Sequence, residues 1–404
     1  MPAYVNFMGV LLIAFVSPII AALIPKVRVP TIVLEFVLGV IVGPDVLGWI
    51  KVDNPLDVLS VLALSFLLFT AGTEVELSSL RGAVLGRAAV AYAVSFAIAA
   101  AVGTLLGAAD IIMTPAFIAI ILSATGLGAV IPIVRGAGLT TTSVGQTILV
   151  VASVAEFSAV LLLSLLFGEG DTSFAGQILF LVVFAAVTTV VWLGLRRLYR
   201  HPSLTDHMET LEGGTAQLGI RLAVLLLGVF LAMSSRFGLE TILGAFVAGI
   251  ILGDLRHHER GQEAGFWPKI DAIGFGFLIP IYFVISGLRF NLDALVHSGS
   301  AIARVPLFLA LFLLCRGVPA LLFRRRLGTR ATAALALLSA TSLSFVLTAT
   351  DIGVRIGKLR DINATALVGA AVLAMLIFPL GAQSLLAEPD EPAAASPDPL
   401  PDEV

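Results

Sequence analysis

The sequence predicts an all-α polytopic membrane protein with inverted repeats. Composition, the number of apolar stretches and an internal similarity each point there. Of 404 residues, 58% are hydrophobic and only 13% are charged, and the mean hydropathy is +1.05. A soluble domain carries roughly a quarter charged residues, and disorder needs low hydrophobicity, so both classes are excluded. The net charge of -3 says little about partners, because in a membrane protein charge acts by position. A single cysteine, Cys315, excludes a disulfide framework and any cysteine-built metal site.

A spanning helix needs about 20 apolar residues. Thirteen stretches qualify: 4–25, 29–49, 56–77, 82–108, 111–134, 143–168, 172–195, 215–234, 237–255, 268–287, 299–323, 329–352 and 362–386. The first lacks a basic leader and a small-residue cleavage site, so it is expected to be a retained helix. Loops after odd-numbered spans hold fifteen Lys and Arg, from Lys26 and Arg28 to Arg324, Arg325, Arg326 and Arg330; loops after even-numbered spans hold six. This asymmetry places the odd loops in the cytoplasm, the amino terminus outside and the carboxyl terminus inside. Residues 1–386 form the transmembrane domain. The acidic, Pro-rich stretch 387–404 reads as a disordered cytoplasmic tail.

Three pairs of segments match at nearly one offset. FVLGVIVGPDVL at 36–47 resembles FVAGIILGDL at 246–255, an offset of 210. FLLFTAGTEVELSSL at 66–80 resembles IYFVISGLRFNLDAL at 281–295, an offset of 215. LSATGLG at 122–128 resembles LSATSLS at 338–344, an offset of 216. Repeat one runs over about 29–168 and repeat two over about 237–386. Seven spans separate equivalent helices, an odd number, so they run in opposite directions. This pattern belongs to secondary transporters.

The two LSAT segments put Ser, Thr and small residues at mid-span. Such residues allow close approach and bond freed backbone groups, so each segment is expected to unwind. Ser123, Thr125, Gly126 and Gly128 form one breach; Ser339, Thr341, Ser342 and Ser344 form the other. Two crossed discontinuous helices would aim half-helix dipoles and free carbonyls at one central site.

Few ionisable residues lie deep, where each costs on the order of 3 kcal/mol. Glu156 sits in the middle of its span, beyond easy snorkelling, and its repeat counterpart near Leu373 is apolar. Arg316 lies about 12 Å along a helix from Arg324, at ~1.5 Å per residue. Three arginines already mark that interface, so Arg316 is read as a cation facing the bundle interior. It is expected to be the charge partner of Glu156; the alternative is a tie to carbonyls of the broken helices. Glu35 is a candidate for an access funnel or for an interfacial group. Glu74 and Glu76 are assigned to a solvated span end near Arg81. Asp110 and Asp351 are outside-mouth candidates, while Asp254 and Asp271 read as helix caps or interfacial groups. His257 and His258 read as a solvated pair. No phosphate-binding loop, zinc motif or nucleophile triad is found, so no enzyme activity and no cofactor are expected.

These residues resemble the monovalent cation/proton antiporter superfamily, in the branch of bacterial sodium/proton antiporters and glutathione-gated potassium efflux proteins. The segments that carry the likeness are VLEFVLGVIVGPDVLG at 33–48, LSFLLFTAGTEVELSSLR at 64–81, FGLETILGAFVAGIILGDL at 237–255 and IPIYFVISGLRFNLDAL at 279–295. The likeness is to the membrane domain only, and no soluble potassium-regulatory domain like that of the efflux branch is expected. It implies a thirteen-helix sodium/proton antiporter-like fold, a dimerisation domain, a mobile core and a homodimer in the cell (inner) membrane. It places the family's ion-binding carboxylate on Glu156 and its basic core residue on Arg316. Ala155 departs from the family's polar neighbour, and Glu156 is one methylene longer than the usual aspartate.

The expectation is therefore electroneutral exchange of a monovalent cation, Na+ or K+, for H+ by competition at Glu156. Ser123, Thr125, Ser342 and Ser344 supply further oxygens, since hard cations prefer oxygen ligands. The expected partners are the cation, the proton, the bilayer and a second copy of the chain, with no nucleic acid. Two other readings are a sodium-coupled organic anion carrier of the same fold and a non-transporting membrane sensor.

Overall fold

A computed structural model describes residues 3–23, 29–75, 82–136, 138–168, 174–199, 217–256 and 266–386. The helices are α1 (Ala3–Leu23), α2 (Thr31–Val42), α3 (Asn54–Thr73), α4 (Gly82–Ala108), α5 (Pro115–Ser123), α6 (Leu127–Gly136), α7 (Ser143–Phe167) and α8 (Phe174–Tyr199). After them come α9 (Leu218–Arg236), α10 (Thr241–Arg256), α11 (Phe266–Leu288, with a π-helical turn at Gly274–Leu278) and α12 (Leu292–Val296). The chain ends with α13 (Gly299–Ala320), α14 (Arg324–Ser339), α15 (Leu343–Arg355) and α16 (Asp361–Leu386). The tail 387–404, Glu76, Arg81, His257 and His258 lie outside the described residues.

Among the described residues, nine helical stretches are long and apolar enough to cross a membrane. The thirteen expected spans differ from these nine for physical reasons. Helices α2 and α10 have only 12 and 16 residues. The fifth expected span is split into two half-helices, and the stretch Gly299–Arg355, counted once among the nine, holds α13, α14 and α15 with a break at residues 340–342.

Local chemistry sets many of the ends. Asp53 caps α3 by accepting from the Leu56 N–H, with Pro55 in the first turn. The Asn6 amide donates to the same carboxyl at 3.0 Å, which ties α1 to α3 and holds Asp53 below the usual carboxylate range. Thr142 caps α7 through the Gly145 N–H, and Ser298 caps α13 through the Ala301 N–H.

The helices sort into two bodies. A panel comprises α1, α2, α3, α9, α10 and α11; a core comprises α4 to α7 and α13 to α16. Within the panel, α10 packs along α3 and α11 packs along α2. These two contacts are images of each other. A Cβ on Gly249 would lie 2.0 Å from the Phe69 carbonyl oxygen, and one on Gly39 would lie 2.3 Å from that of Val284. A Cβ on Gly72 would lie 2.1 Å from the Phe246 oxygen, and one on Gly287 equally close to that of Phe36. Every pair obeys the offsets of 210 and 215 read from the sequence. Inverted repeats thus meet backbone to backbone, at glycines, as close helix packing in membranes requires. In the core, the contacts of α4 with α5 and α7 are mirrored by those of α13 with α14 and α16.

This packing makes a prediction. Gly249→Ala forces backbone against backbone, and such overpacking costs typically ~1–3 kcal/mol. The variant is expected to unfold several degrees below wild type in detergent. Gly228→Ala, where a Cβ meets nothing within 4 Å, should unfold at or above the wild-type temperature. Equal melting of the two variants would refute the close approach.

Candidate functional site

The two LSAT segments are the breaks. Helix α5 stops at Ser123 and α6 starts at Leu127; α14 stops at Ser339 and α15 starts at Leu343. The strands of chain between them cross. The Gly126 N–H donates to the Thr341 carbonyl at 2.8 Å, and the Thr125 hydroxyl donates to the Ser339 carbonyl at 2.8 Å. The approach is tight at Gly126, where a Cβ would lie 3.2 Å from Ser342 Cα.

A broken helix leaves free N–H groups at one end and free carbonyls at the other, with partial charges to match. Both kinds of end meet a side chain of opposite sign. Glu156 on α7 is 1% exposed, and its Oε2 accepts from the Leu127 N–H, the first of α6, at 2.7 Å. Arg316 on α13 is 3% exposed and serves the carbonyl ends. Its Nε donates to Leu122 O at 2.7 Å, its Nη2 to Ile121 O at 2.6 Å and its Nη1 to Ser339 O at 3.3 Å. One guanidinium thus fastens the end of α5 to the end of α14. Its Cζ also lies 5.1 Å from the Phe312 ring centroid. Of the two roles expected for Arg316, this geometry is the tie to carbonyls. Among the described residues no ion pair joins it to Glu156.

The predicted hydroxyl residues fall into two groups. Ser342 and Ser344 lie on the Gly126 side, next to the residue that bonds Glu156. The Ser342 hydroxyl is buried and has no hydrogen-bond partner among the described residues. Ser123 lies on the Arg316 side. It lines a small cavity of about 20 Å³ with Tyr92, Ser95, Thr125, Arg316 and Ser339, enough for one water molecule. Thr125 spans both groups, with its hydroxyl committed to Ser339. Tyr92, whose hydroxyl lies 3.4 Å from Ser123 Oγ, was not foreseen, since a tyrosine in an Ala-rich span gives no periodic signal. Glu35 belongs to the panel and does not join this crossing. Glu74 pairs with Arg135 of α6 at 3.2 Å, and Asp110 pairs with Arg360 at 2.9 Å.

A second cavity, of about 320 Å³, lies between panel and core. Ser60, Tyr282 and Arg289 line it from the panel; Thr350, Asp351 and Asp361 line it from the core. The Tyr282 hydroxyl approaches Thr348 Oγ1 at 3.3 Å across the two bodies. Arg289 is bonded to Asp57 and Ser60 on its own side. Next to Glu156, Phe157 of α7 stacks on Phe246 of α10 with centroids 6.2 Å apart, a further contact between the bodies.

The family described as "Sodium/hydrogen exchanger, transmembrane" matches residues 11–388. The chain belongs to this family. Within the sodium/hydrogen exchanger family it is similar to the putative Na+/H+ antiporter YjbQ of Bacillus subtilis, 28% identical over 401 residues. That match covers 95% of this chain and 63% of the relative, so the chain spans less than two thirds of the relative's length. It is also similar to the Na+/H+-K+ antiporter GerN of Bacillus cereus, 24% identical over 72% of this chain and 73% of GerN. Among solved structures, the sodium proton antiporter MjNhaP1 from Methanocaldococcus jannaschii shares the fold. The TM-score is 0.65 at 18% identity, over 96% of this chain and 99% of that one.

Proposed function

We propose that this exchanger-family chain is a secondary antiporter that exchanges a monovalent cation, Na+ or K+, for H+. The observation that carries this reading is the buried Glu156 carboxyl on the free N–H of a broken helix. One of its oxygens is held there, and the same crossing carries the buried Ser342 hydroxyl, which has no hydrogen-bond partner among the described residues. A carboxylate with nearby hydroxyl and carbonyl oxygens suits a partly dehydrated hard cation. The same carboxyl, once protonated, releases the cation. Because it carries one or the other and never both, the two flows are coupled, one proton for one cation.

The similarity to the Na+/H+ antiporter YjbQ, itself putative, and to the Na+/H+-K+ antiporter GerN supports the choice of substrates. An anion carrier is disfavoured, because the buried guanidinium of Arg316 is committed to three backbone carbonyls. The 320 Å³ cavity between panel and core is the access route of one half-cycle, and movement of one body against the other alternates access. Counting each broken pair as one crossing, and including the short helices α2 and α10, the reading has thirteen crossings among the described residues. Residues 1–386 are the transporter domain, with repeats at about 29–168 and 237–386. The excess of basic residues after odd spans supports a cytoplasmic carboxyl terminus, and the family resemblance supports a homodimer in the cell membrane.

The test is a dye-based proton flux assay in proteoliposomes, with Na+, K+ and Li+ added in turn at zero membrane potential. Cation-driven proton movement with no net current is expected. A clear current would overturn the one-for-one stoichiometry, and no flux with any cation from folded protein would overturn antiport.

A further inference from the structure

Glu35 is a buried ionisable group with no task in the exchange just described. It lies one turn into α2, is 3% exposed, and its Oε2 is inaccessible without a hydrogen-bond partner among the described residues. Transfer of such a group from water without compensation costs several kcal/mol, so packing alone does not favour it. The repeat shows that packing does not need it. One turn on, Gly39 makes the close approach to α11, and Phe36 faces Gly287. Their images are Gly249 and Phe246, and the residue before Phe246 is Ala245, fully buried. Where one half of the panel places a methyl, the other places a carboxyl.

The position along the membrane is equally informative. The 320 Å³ cavity is lined by the first turns of α3 and α16, the end of α15 and the residues just after α11. Helix α2 leads into the start of α3, so its last residues lie on the cavity side and Glu35 lies toward the opposite side. The helices packed most closely on α2 are α1, α11 and α16. Their ionisable groups are Tyr4 on α1; Lys269, Asp271 and Tyr282 on α11; and Asp361 on α16, with Arg289 just past α11. No ion pair joins any of them to Glu35 among the described residues.

We infer that Glu35 is a proton relay between Glu156 and the side of the membrane opposite the 320 Å³ cavity. The inference rests on the antiport reading above. In one direction the Glu35 carboxyl gives its proton to a water molecule admitted when panel and core move against each other. The proton passes to the Glu156 carboxylate, whose new O–H bond forms as the cation leaves. The Glu35 carboxylate then recovers a proton from the adjacent aqueous phase. The other direction reverses each step, and no proton is gained or lost by the pair over a cycle.

The experiment compares Glu35→Gln, Glu35→Ala and Glu35→Asp with wild type in proteoliposomes, reading maximal rate and half-saturating cation concentration separately. A lost relay should lower the maximal rate about tenfold or more in the first two variants, with unchanged half-saturation and unchanged melting temperature. Glu35→Asp should recover most of the rate. Wild-type rates in both Glu35→Gln and Glu35→Ala would overturn the relay. So would a loss that tracks a lower melting temperature and is not recovered by Glu35→Asp. A flux-independent arm separates this from failure of the antiport reading. Dicyclohexylcarbodiimide adds to protonated buried carboxyls, and mass spectrometry should find it on Glu35 of the folded wild-type protein. Absence of that adduct at every pH tested would overturn the relay even if antiport stands, and its presence without cation flux would sink only the antiport reading.

Discussion

Glu156→Gln is expected to remove proton-coupled cation flux while leaving the protein folded. The glutamine side chain has the same length, and its amide oxygen can still accept from the Leu127 N–H that Oε2 now satisfies at 2.7 Å. The break in the helix therefore keeps its cap. What the variant loses is the ability to exist as an anion or to hand over a proton. The flux should fall on the order of 100-fold or more, below the background of empty liposomes in a dye assay. A second readout separates chemistry from folding. A cation that binds only the folded state raises its stability by mass action, so wild type should melt higher as the transported cation is added. Glu156→Gln should melt near the wild-type temperature and show no such rise. Glu156→Ala differs, because it also strips the partner from a buried N–H, at about 1–3 kcal/mol. It should lose both flux and thermal stability. Persistent flux in Glu156→Gln would move the coupling site elsewhere.

Much of this site is legible in one dimension, because insertion into a bilayer makes certain residues costly wherever they stand. Glu156 and Arg316 stand out by depth alone, and the LSAT pair by its repetition. The predicted limits 143–168 and 82–108 fall on α7, Ser143–Phe167, and α4, Gly82–Ala108. Hydropathy cannot say how a stretch divides. The apolar run 29–49 contains only a 12-residue helix, because the chain turns after Val42 through Gly43 and Pro44. Nor can it say which carbonyl a guanidinium reaches. The three acceptors of Arg316 come from two half-helices, at Ile121, Leu122 and Ser339, and only the crossing angle brings them together. The same holds for the hydroxyls. Ser342 stands where the first repeat has Gly126, and its hydroxyl has no partner among the described residues, whereas that of Ser123 bonds the Ile120 carbonyl within its own helix; the letters alone do not separate the two. The panel glycines were legible as matched letters. Their role required seeing each one opposite a backbone carbonyl.

Arg316→Ala is expected to cost more stability than any other single change at the crossing. Removing it takes the guanidinium donor from the Ile121 and Leu122 carbonyls and leaves Ser339 with the Thr125 hydroxyl, at the negative ends of two half-helices in a region with little water to replace it. Leaving a buried acceptor unsatisfied costs about 1–3 kcal/mol each, so two of them take a large share of the stability of a typical domain. The variant should express poorly and melt far below wild type. Arg316→Lys should recover only part of the loss, because a single ammonium is a point donor and cannot reproduce a planar fork spread over Ile121, Leu122 and Ser339. The pair Glu156→Gln and Arg316→Lys then decides what Arg316 is for. If the two side chains stabilised each other as an ion pair, neutralising Glu156 would change the cost of altering Arg316, and the double variant would depart from the sum of the singles. With Arg316 committed to carbonyls and Glu156 to a separate N–H, the stability losses should add to within about 0.5 kcal/mol. Additive losses make Arg316 the fastener between the two repeats, which keeps the crossing rigid while the carboxyl on the far side of it changes its load. A strong coupling would return Arg316 to the role of charge partner, and the exchange cycle would then have to include it.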